Sequence, residues 1–276
     1  YIEEQRSRGK GVRNWFSKHV SAIGTMLDHG CASGCTMHDW AEAGWTCVGL
    51  DPHKPSVEAG RRLGFDIRVG AGEALPLDDS SFDLVVSLGS FEHSYNLALS
   101  LQEISRVLKK NGHLLIRWRS AEIFGSPLEY YNHNHYRFFT PKTLSLMLET
   151  NGFKIIAETD EKLEGWDSYA YTLAIRSPHQ QKSQPQIEVG DGDDYEEELA
   201  KIDRLRKTFY EKSKLHLANA SRFLANAPRN YSIDDLRTIL GDSHNGFLGG
   251  NPETVLRRTI MEAEKYIEEY DAGLVS

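Results

Sequence analysis

The sequence predicts an α/β fold, with a doubly wound and mostly parallel sheet followed by a helical C-terminal extension. Short apolar runs alternate with segments of helical periodicity between residues 25 and 176, which is the pattern of strand–helix units joined by right-handed crossovers. A stretch rich in Pro, Gln, Gly and Asp then interrupts the alternation, and amphipathic segments follow it. We therefore predict a helical cap at 1–24, the sheet domain at 25–177, a linker at 178–194 and a helical region at 195–276.

The strands are assigned from short apolar runs bounded by glycine, proline or polar residues. Seven runs qualify, at 25–30, 47–52, 65–70, within 81–90, and at 113–118, 153–159 and 169–176. Only about ten residues separate the last two runs, and such a short connection permits an antiparallel pair.

The helices are assigned from apolar residues that recur every three or four positions. They are predicted at 6–20, 37–43, 55–63, 97–110 and 140–149. Asn111–Gly112 is expected to end the fourth helix, and Thr140 is expected to cap the fifth. The first helix is expected to lie over a ligand site and to bury Trp15, Phe16 and Val20.

The composition excludes several classes of protein. A net charge of −8 argues against a nucleic-acid partner, since such proteins need basic surfaces to displace counterions from phosphates. The three cysteines lack the spacing of a disulfide framework, which indicates a reducing compartment. No apolar run approaches the roughly 20 residues of a membrane span, and no signal peptide is evident, so a cytoplasmic location is expected.

A glycine-containing loop follows the first predicted strand, in the segment LDHGCASG at 27–34. Gly30 and Gly34 permit a tight turn and a close approach of the backbone to a ligand, and Asp28 stands at the carboxyl end of the strand. Taken alone, this loop could be the nucleotide-binding loop of any Rossmann-like fold or an ordinary turn between a strand and a helix. It lacks the G-x-G-x-x-G spacing that a nicotinamide dinucleotide site requires.

Two further segments narrow the choice of ligand. The second strand ends in VGLDP at 48–52, where the carboxylate of Asp51 is placed to accept hydrogen bonds from ribose hydroxyls. GEALPLDDSSFDLVVS at 72–87 places Glu73 and Ala74 just after the third strand, where an adenine edge would lie. An aspartate that caps a helix before Pro52 is the alternative reading of Asp51.

Together with LQEISRVLKKNGHLLI at 101–116, these segments resemble the class I S-adenosylmethionine-dependent methyltransferases. The resemblance covers about residues 25–176 and is nearest to the small-molecule and sugar enzymes of the methyltransferase type 11-like group. It implies a Rossmann-like, seven-stranded sheet whose last strand is antiparallel. It also implies S-adenosylmethionine as cofactor and S-adenosylhomocysteine as product.

By position, the resemblance implies a set of cofactor-binding residues: Asp28, Gly30, Cys31, Ala32, Gly34, Asp51, Pro52, Glu73, Ala74, Leu75 and Ser90. Two positions depart from the family pattern. Ala32 replaces the middle glycine of the loop, and Ala71 stands where an acid often meets the adenine amino group. That contact must therefore come from Glu73 or from the backbone, or be lost.

The acceptor side is predicted from histidines near the carboxyl edge of the sheet. Glu92 and His93 follow the fourth strand, and a second group lies between the fifth strand and its helix: Tyr131, His133, His135, Tyr136 and Arg137. Glu92 and His93 are expected to border the transferred methyl group as catalytic residues, with His93 or His135 as the base. The other residues of the second group are expected to bind the acceptor. His133 and His135 have no evident third ligand, so no metal site is predicted.

The leading hypothesis is an O-methyltransferase that acts on a hydroxyl of a sugar, a glycan or a similar small polar molecule. An N- or C-methyltransferase of another small metabolite is the alternative within the same class. A non-catalytic scaffold that binds S-adenosylmethionine is the alternative from another class. The apolar faces of the C-terminal helices are expected to cover the sheet domain, to form a bundle, or to contact a second copy or a neighbouring domain.

Overall fold

The computed structural model describes residues 2–118, 139–161, 163 and 169–177, and some of the residues within 204–222 and 257–272. Two compact units are present. The first comprises Tyr1–Ala121 and Asn134–Pro185, and the second comprises Glu122–His133 and Gln186–Ser276. In the part of the chain that the structure describes, no helix has both the length and the apolar character needed to cross a bilayer.

The first unit contains a seven-stranded sheet with the strand order β3-β2-β1-β4-β5-β7-β6. All its pairs are parallel except those of the last strand, which is antiparallel to both of its neighbours. The predicted Rossmann-like sheet is therefore confirmed. Its strands are β1 Thr25–His29, β2 Thr46–Asp51, β3 Ile67–Val69, β4 Phe82–Leu88, β5 Leu108–Trp118, β6 Phe153–Thr159 and β7 Ala170–Arg176.

Among the described residues of this unit, five α-helices accompany the sheet, and one 3₁₀ turn, Phe91–His93, follows β4. Thr140 caps the last helix as predicted, because its side chain accepts the backbone N–H of Thr143. The helices are α1 Ile2–Phe16, α2 Met37–Glu42, α3 Lys54–Arg62, α4 Leu97–Val107 and α5 Pro141–Thr150.

The prediction that α4 extends to residue 110 is wrong. The helix ends at Val107, and β5 starts at Leu108, which pairs with Phe82 of β4. The pairing register between β4 and β5 shifts between Phe82 and Leu84 of β4, and Asn111 of β5 has a φ of 60°. Asn111–Gly112 therefore marks a bulge at the start of β5, where a left-handed residue takes up the extra length of one strand. A helix end and a bulge favour the same residue types, so the sequence pattern does not separate them.

The strand order reverses between β1 and β4, which lie side by side at the centre of the sheet. In open parallel sheets the connections diverge at such a point and leave a crevice at the carboxyl ends of the strands. The segments that follow β1, β2, β3 and β4 meet at this crevice.

An aromatic cluster joins the N-terminal helix to the sheet domain. Trp40 of α2 is 1% exposed, and its ring centroid lies 5.4 Å from that of Phe16 and 5.5 Å from that of Trp45. Trp15 and Phe16 are buried as predicted, and Val20 is partly buried against the same core. The first helix thus packs on α2, and no residue of it lines the cavity described below, contrary to the prediction that it lies over the ligand site.

In the second unit, the described residues between 204 and 271 are helical, and the ring of Tyr210 stacks on that of Tyr270 with centroids 4.4 Å apart. The predicted linker lies outside the described residues. The domain boundaries and the partner of the C-terminal helices stay predictions.

The aromatic cluster makes a testable contribution to stability. Trp40→Ala is expected to lower the free energy of unfolding by about 3–5 kcal/mol, because it removes a large buried ring and leaves a cavity. Urea denaturation followed by circular dichroism measures this loss. Glu42→Ala on the same helix is the control, since that side chain is 61% exposed and should contribute less than about 1 kcal/mol. A similar loss for both variants would contradict the packing described here.

Candidate functional site

A cavity of about 720 Å³ lies at the carboxyl ends of β1, β2 and β4. Its wall consists of residues 29–30, 50–53, 71–73, 89–90 and 93–95. All four crevice-forming segments therefore contribute to it. The volume lies within the range of about 300–1,000 Å³ found for sites that hold small molecules and cofactors.

Asp51 connects two of these segments. Its side chain accepts the backbone N–H of Ala32 at 2.8 Å through one oxygen and the backbone N–H of His53 at 2.8 Å through the other. The residue is 9% exposed and lines the cavity. Each carboxylate oxygen keeps a further lone pair, so this fixed carboxylate can also accept hydrogen bonds from a pair of ligand hydroxyls.

The loop after β1 turns tightly, through three residues with positive φ: Gly30 at 79°, Ala32 at 50° and Gly34 at 76°. At residue 30 a Cβ atom would lie only 2.2 Å from the Cβ of Ser90. A glycine is therefore needed there, since any side chain would separate the loops that follow β1 and β4. Ala32 adopts the left-handed conformation although it carries a Cβ, at a cost of about 1–2 kcal/mol relative to glycine.

Asp28 lies behind this loop. It is 2% exposed, and the hydroxyl of Thr36 donates to its side chain at 2.6 Å. Burial is the main cause that raises the pKa of Asp28, to about 6, and the negative charge of Asp51 adds to this effect while the Thr36 hydrogen bond opposes it. Asp28 does not line the cavity. Its hydrogen bond to Thr36 links β1 to the start of α2, and its predicted place in the cofactor-binding set stays a prediction.

Glu73 reaches across the cavity wall to the segment after β4. One of its carboxylate oxygens accepts the backbone N–H of Tyr95 at 2.6 Å and that of Asn96 at 3.1 Å. Glu73 lines the cavity as predicted, but its side chain is engaged by backbone groups. Two residues on, the backbone N–H of Leu75 donates to Glu103 of α4 at 2.8 Å. The segment after β3 is thus hydrogen-bonded to the start and to the middle of α4.

The cavity also contains a histidine that was not predicted. His29 is 4% exposed, and its Nδ1 atom lies 3.4 Å from the Ser87 hydroxyl and 3.5 Å from the Ser90 hydroxyl. Burial lowers the pKa of His29, so the ring is neutral at physiological pH. An imidazole at the carboxyl end of β1, directly before the glycine-containing loop, was the available signal in the sequence.

Glu92 and His93 point in different directions, because successive residues of a 3₁₀ turn are rotated by about a third of a turn. His93 lines the cavity, and its backbone N–H donates to the Ser90 carbonyl at 3.1 Å. Glu92 is 3% exposed and does not line the cavity. The prediction that Glu92 borders the reacting groups is therefore not supported by the structure, whereas His93 does line the cavity and its role as base stays a prediction.

The other predicted residues fall into three groups. Gly30, Pro52 and Ser90 line the cavity, whereas Cys31, Ala32, Gly34, Ala74 and Leu75 do not. Cys31 and Leu75 are buried and Ala74 is exposed, and the cofactor contacts predicted for these residues, through the backbone at Cys31 and Ala32, stay predictions. The predicted acceptor residues Tyr131, His133, His135, Tyr136 and Arg137 lie outside the described residues.

Several lining residues escaped prediction because their positions depend on how the loops pack. Besides His29 these are Leu50, His53, Ala71, Gly72, Gly89, Ser94 and Tyr95. Gly72 is the clearest case. A Cβ atom at that residue would lie 2.4 Å from Nε2 of His29, so the glycine and the buried imidazole fit together. Sequence spacing does not reveal this contact.

The buried Asp28 predicts a particular dependence of stability on pH. Its pKa of about 6 in the folded chain exceeds the ordinary value of 3.8, so the folded state binds more protons between these values. This contribution favours folding below about pH 4 and is lost as the pH rises through 6. Asp28→Asn keeps an acceptor for Thr36 but does not titrate. Its free energy of unfolding, relative to wild type, should therefore rise by up to about 3 kcal/mol between pH 4 and pH 7.

Urea denaturation at pH 4, 5, 6 and 7 measures this difference. Asp66→Asn, which removes an exposed carboxylate, controls for the change in net charge. A stability difference between the Asp28 variant and wild type that is the same at every pH would contradict the burial of an ionisable Asp28.

Comparison with known proteins connects this cavity to a family. Residues 27–116 match the methyltransferase domain family. The ubiquinone biosynthesis O-methyltransferase of Bartonella tribocorum is 24% identical over 151 residues, which cover 48% of this chain and 61% of that protein. A probable S-adenosylmethionine-dependent methyltransferase of Mycolicibacterium smegmatis is 32% identical over 143 residues, or 50% of this chain and 54% of the relative. The chain thus matches little more than half the length of these relatives.

The fold has a counterpart among solved structures. An S-adenosylmethionine-dependent methyltransferase from Mesorhizobium loti superposes with a TM-score of 0.53 at 15% identity, covering 61% of this chain and 99% of that structure. The likeness includes the α/β sheet and extends over nearly all of the smaller protein. At such low identity it supports the fold alone.

The sheet order, the turn after β1, the carboxylate that ends β2 and the match over 27–116 agree with one another. Residues 27–116 thus match the methyltransferase domain family, and the sheet domain has the fold of the class I S-adenosylmethionine-dependent methyltransferases.

Proposed function

We propose that this domain transfers the methyl group of S-adenosylmethionine to a hydroxyl of a small ring-shaped acceptor, such as a sugar or a similarly polar molecule, with His93 as the base. The observation that carries the proposal is the shared cavity: Asp51 from the end of β2 and His93 from the turn after β4 line the same space. A ligand held at the first residue therefore lies close to the second.

The residues of the cavity fit the cofactor. Asp51 offers a fixed, negatively charged acceptor for the two ribose hydroxyls, and Gly30 lets the backbone after β1 approach the methionine part closely. The backbone of residues 71–73 lies where the adenine side would be held. Negative charge on Asp51 and Glu73 also suits the cationic sulfonium. When bound, S-adenosylmethionine supplies an electrophilic methyl group together with a good leaving group.

The chain's own residues must orient the acceptor and remove its proton. An unprotonated imidazole nitrogen of His93 accepts the hydroxyl proton at or before methyl transfer, which makes the acceptor oxygen a better nucleophile. His135 is a second candidate for the base on the basis of the sequence, and Glu92 is not, because its buried side chain does not line the cavity.

Two arguments support oxygen as the methylated atom, and the state of the cysteines supports the cytoplasm as the location. The similar Bartonella protein is named an O-methyltransferase, and a histidine is suited to deprotonating a hydroxyl near neutral pH. All three cysteines are free, as expected in a reducing compartment. A sugar acceptor is proposed from the aromatic and histidine-rich segment at 129–141 of the sequence.

Replacement of His93 tests the proposal. His93→Gln is expected to lower kcat for methyl transfer by about 10²–10⁴-fold, because the base that takes the hydroxyl proton is removed, while the affinity for the cofactor stays unchanged. Transfer of a labelled methyl group to a panel of sugars and hydroxylated ring compounds measures kcat. Calorimetry with S-adenosylhomocysteine measures cofactor affinity. His19→Gln is the matched control and should leave kcat unchanged, since that histidine is exposed and does not line the cavity.

The outcomes separate the alternatives. An unchanged kcat in the His93→Gln variant would show that His93 is not the base. Methyl groups found on nitrogen or carbon of the product would favour the N- or C-methyltransferase. Cofactor binding without transfer to any acceptor would favour the scaffold.

A further inference from the structure

A buried imidazole stands where three of the segments around the cavity meet. His29 ends β1, lines the cavity and is 4% exposed. One edge of its ring faces the end of β4 and the segment after it, because Nδ1 lies 3.4 Å from the Ser87 hydroxyl and 3.5 Å from the Ser90 hydroxyl. The opposite edge faces the segment after β3, where Nε2 lies 2.4 Å from the position that a Cβ atom of residue 72 would take. Contacts on both edges therefore fix the direction of the ring.

The protons of the two serine hydroxyls decide which ring nitrogen carries the proton. The Ser90 hydroxyl donates to the backbone carbonyl of His29. The Ser87 hydroxyl lies 2.7 Å from the Ser90 oxygen, and it donates there because the Ser90 proton is already used. Nδ1 of His29 therefore faces oxygen lone pairs. The N–H of the neutral ring is consequently placed at Nδ1, and Nε2 carries a lone pair.

Protonation of the second nitrogen would disrupt this junction. Nε2 is buried and has no hydrogen-bond partner in the part of the chain that the structure describes. The buried hydroxyl of Ser100 on α4 lies on the same side, 3.4 Å from the Cβ position of residue 72, but it makes no hydrogen bond to the ring. An N–H at Nε2 would therefore face the backbone of Gly72 as a charged, unpaired donor away from water.

Electrostatics set the pH range of this effect. Burial lowers the pKa of His29 below its ordinary value of 6.5, while the negative charges of Glu73 and Asp51 oppose that change. The folded chain thus binds fewer protons at His29 than the unfolded chain. This contribution to stability is present above pH 6.5 and is lost as the pH falls below that value. The other titratable residues of the cavity wall are His53, His93 and Tyr95.

We propose that His29 is a positioning residue: its neutral ring, protonated at Nδ1, holds the loop after β1 against the segment that carries Ser90 and His93, and protonation of the ring in mild acid releases this segment and lowers cofactor affinity. The backbone N–H of His93 donates to the Ser90 carbonyl at 3.1 Å, so the same junction sets the place of the candidate base. The inference rests on the proposed function, because it takes this cavity as the cofactor site.

Calorimetric titration of the full chain with S-adenosylhomocysteine, from pH 8 to pH 5.5, tests this role without turnover. His29→Asn keeps a donor in the place of Nδ1 but does not titrate, and at pH 8 it should bind within about twofold of wild type. His29→Leu fills a similar space without the donor and should bind about three- to tenfold more weakly, the loss of one hydrogen bond.

The dependence on pH separates positioning by the neutral ring from simple space-filling. Between pH 8 and pH 5.5, wild type should lose about tenfold more affinity than His29→Asn, because the cofactor-bound state disfavours the charged ring. His19→Asn, at an exposed histidine outside the cavity wall, is the control and should follow wild type at every pH.

The fit between the ring and Gly72 gives a second test. In Gly72→Ala the new methyl group would lie 2.4 Å from Nε2, so the ring must move and binding at pH 8 should weaken by about five- to tenfold. In the His29→Ala background the same change should have little effect, since no ring is there to displace. The two losses should therefore not add.

Equal affinities of wild type, His29→Asn and His29→Leu at every pH would overturn the inference, and so would additive effects of His29→Ala and Gly72→Ala. If the expected dependences on pH and side-chain size hold but no acceptor hydroxyl is methylated, the inference stands and the proposed function fails. If His93→Gln loses methyl transfer while wild type and His29→Asn show the same pH profile for S-adenosylhomocysteine binding, the proposed function stands and the inference fails.

Discussion

The carboxylate of Asp51 is the interaction on which the geometry of the site depends. It stands at the end of β2 and accepts one backbone N–H from the loop after β1 and one from its own following turn. These are charge-assisted hydrogen bonds in a mostly buried position, where they are stronger than in water. They fix two of the four segments that form the cavity. The carboxylate can therefore bind ligand hydroxyls without first being ordered.

The remaining segments are held by contacts of the same kind. The absence of a side chain at Gly30 lets Ser90 approach the loop after β1, and the Ser90 hydroxyl donates to the carbonyl of His29. Glu73 holds the segment after β4, and Arg106 of α4 donates to the carbonyls of Leu75 and Leu77. Hydrogen bonds from side chains thus connect the segments that follow β1, β2, β3 and β4 to one another. The loops that follow β1, β3 and β4 are consequently parts of one hydrogen-bonded structure.

Sequence reasoning predicted the fold well because the strands are short apolar runs. In addition, the connection between β6 and β7 is too short for the crossover that a parallel pair needs. Sequence reasoning selected Gly30, Asp51 and His93, which line the cavity, for a related reason, since each lies at or just after the carboxyl end of a strand and these ends meet at one edge of the sheet. It was wrong about the end of α4, because Asn111–Gly112 suits a bulge as well as a helix end. Side-chain direction was the other weakness. Asp28 near the end of β1 and Glu92 after β4 are both buried, and sequence spacing does not reveal this.

The most direct test of this account is calorimetric titration of the purified chain with S-adenosylmethionine and, separately, with NAD, repeated on Asp51→Ala and on the exposed-site control Asp66→Ala. The account predicts saturable binding of S-adenosylmethionine and none of NAD. It also predicts an affinity about tenfold or more lower in the Asp51 variant, where hydrogen bonds to a charged acceptor are lost, and unchanged in the control. Binding of NAD in place of S-adenosylmethionine, or equal affinities in the two variants, would contradict the assignment of this cavity as the cofactor site.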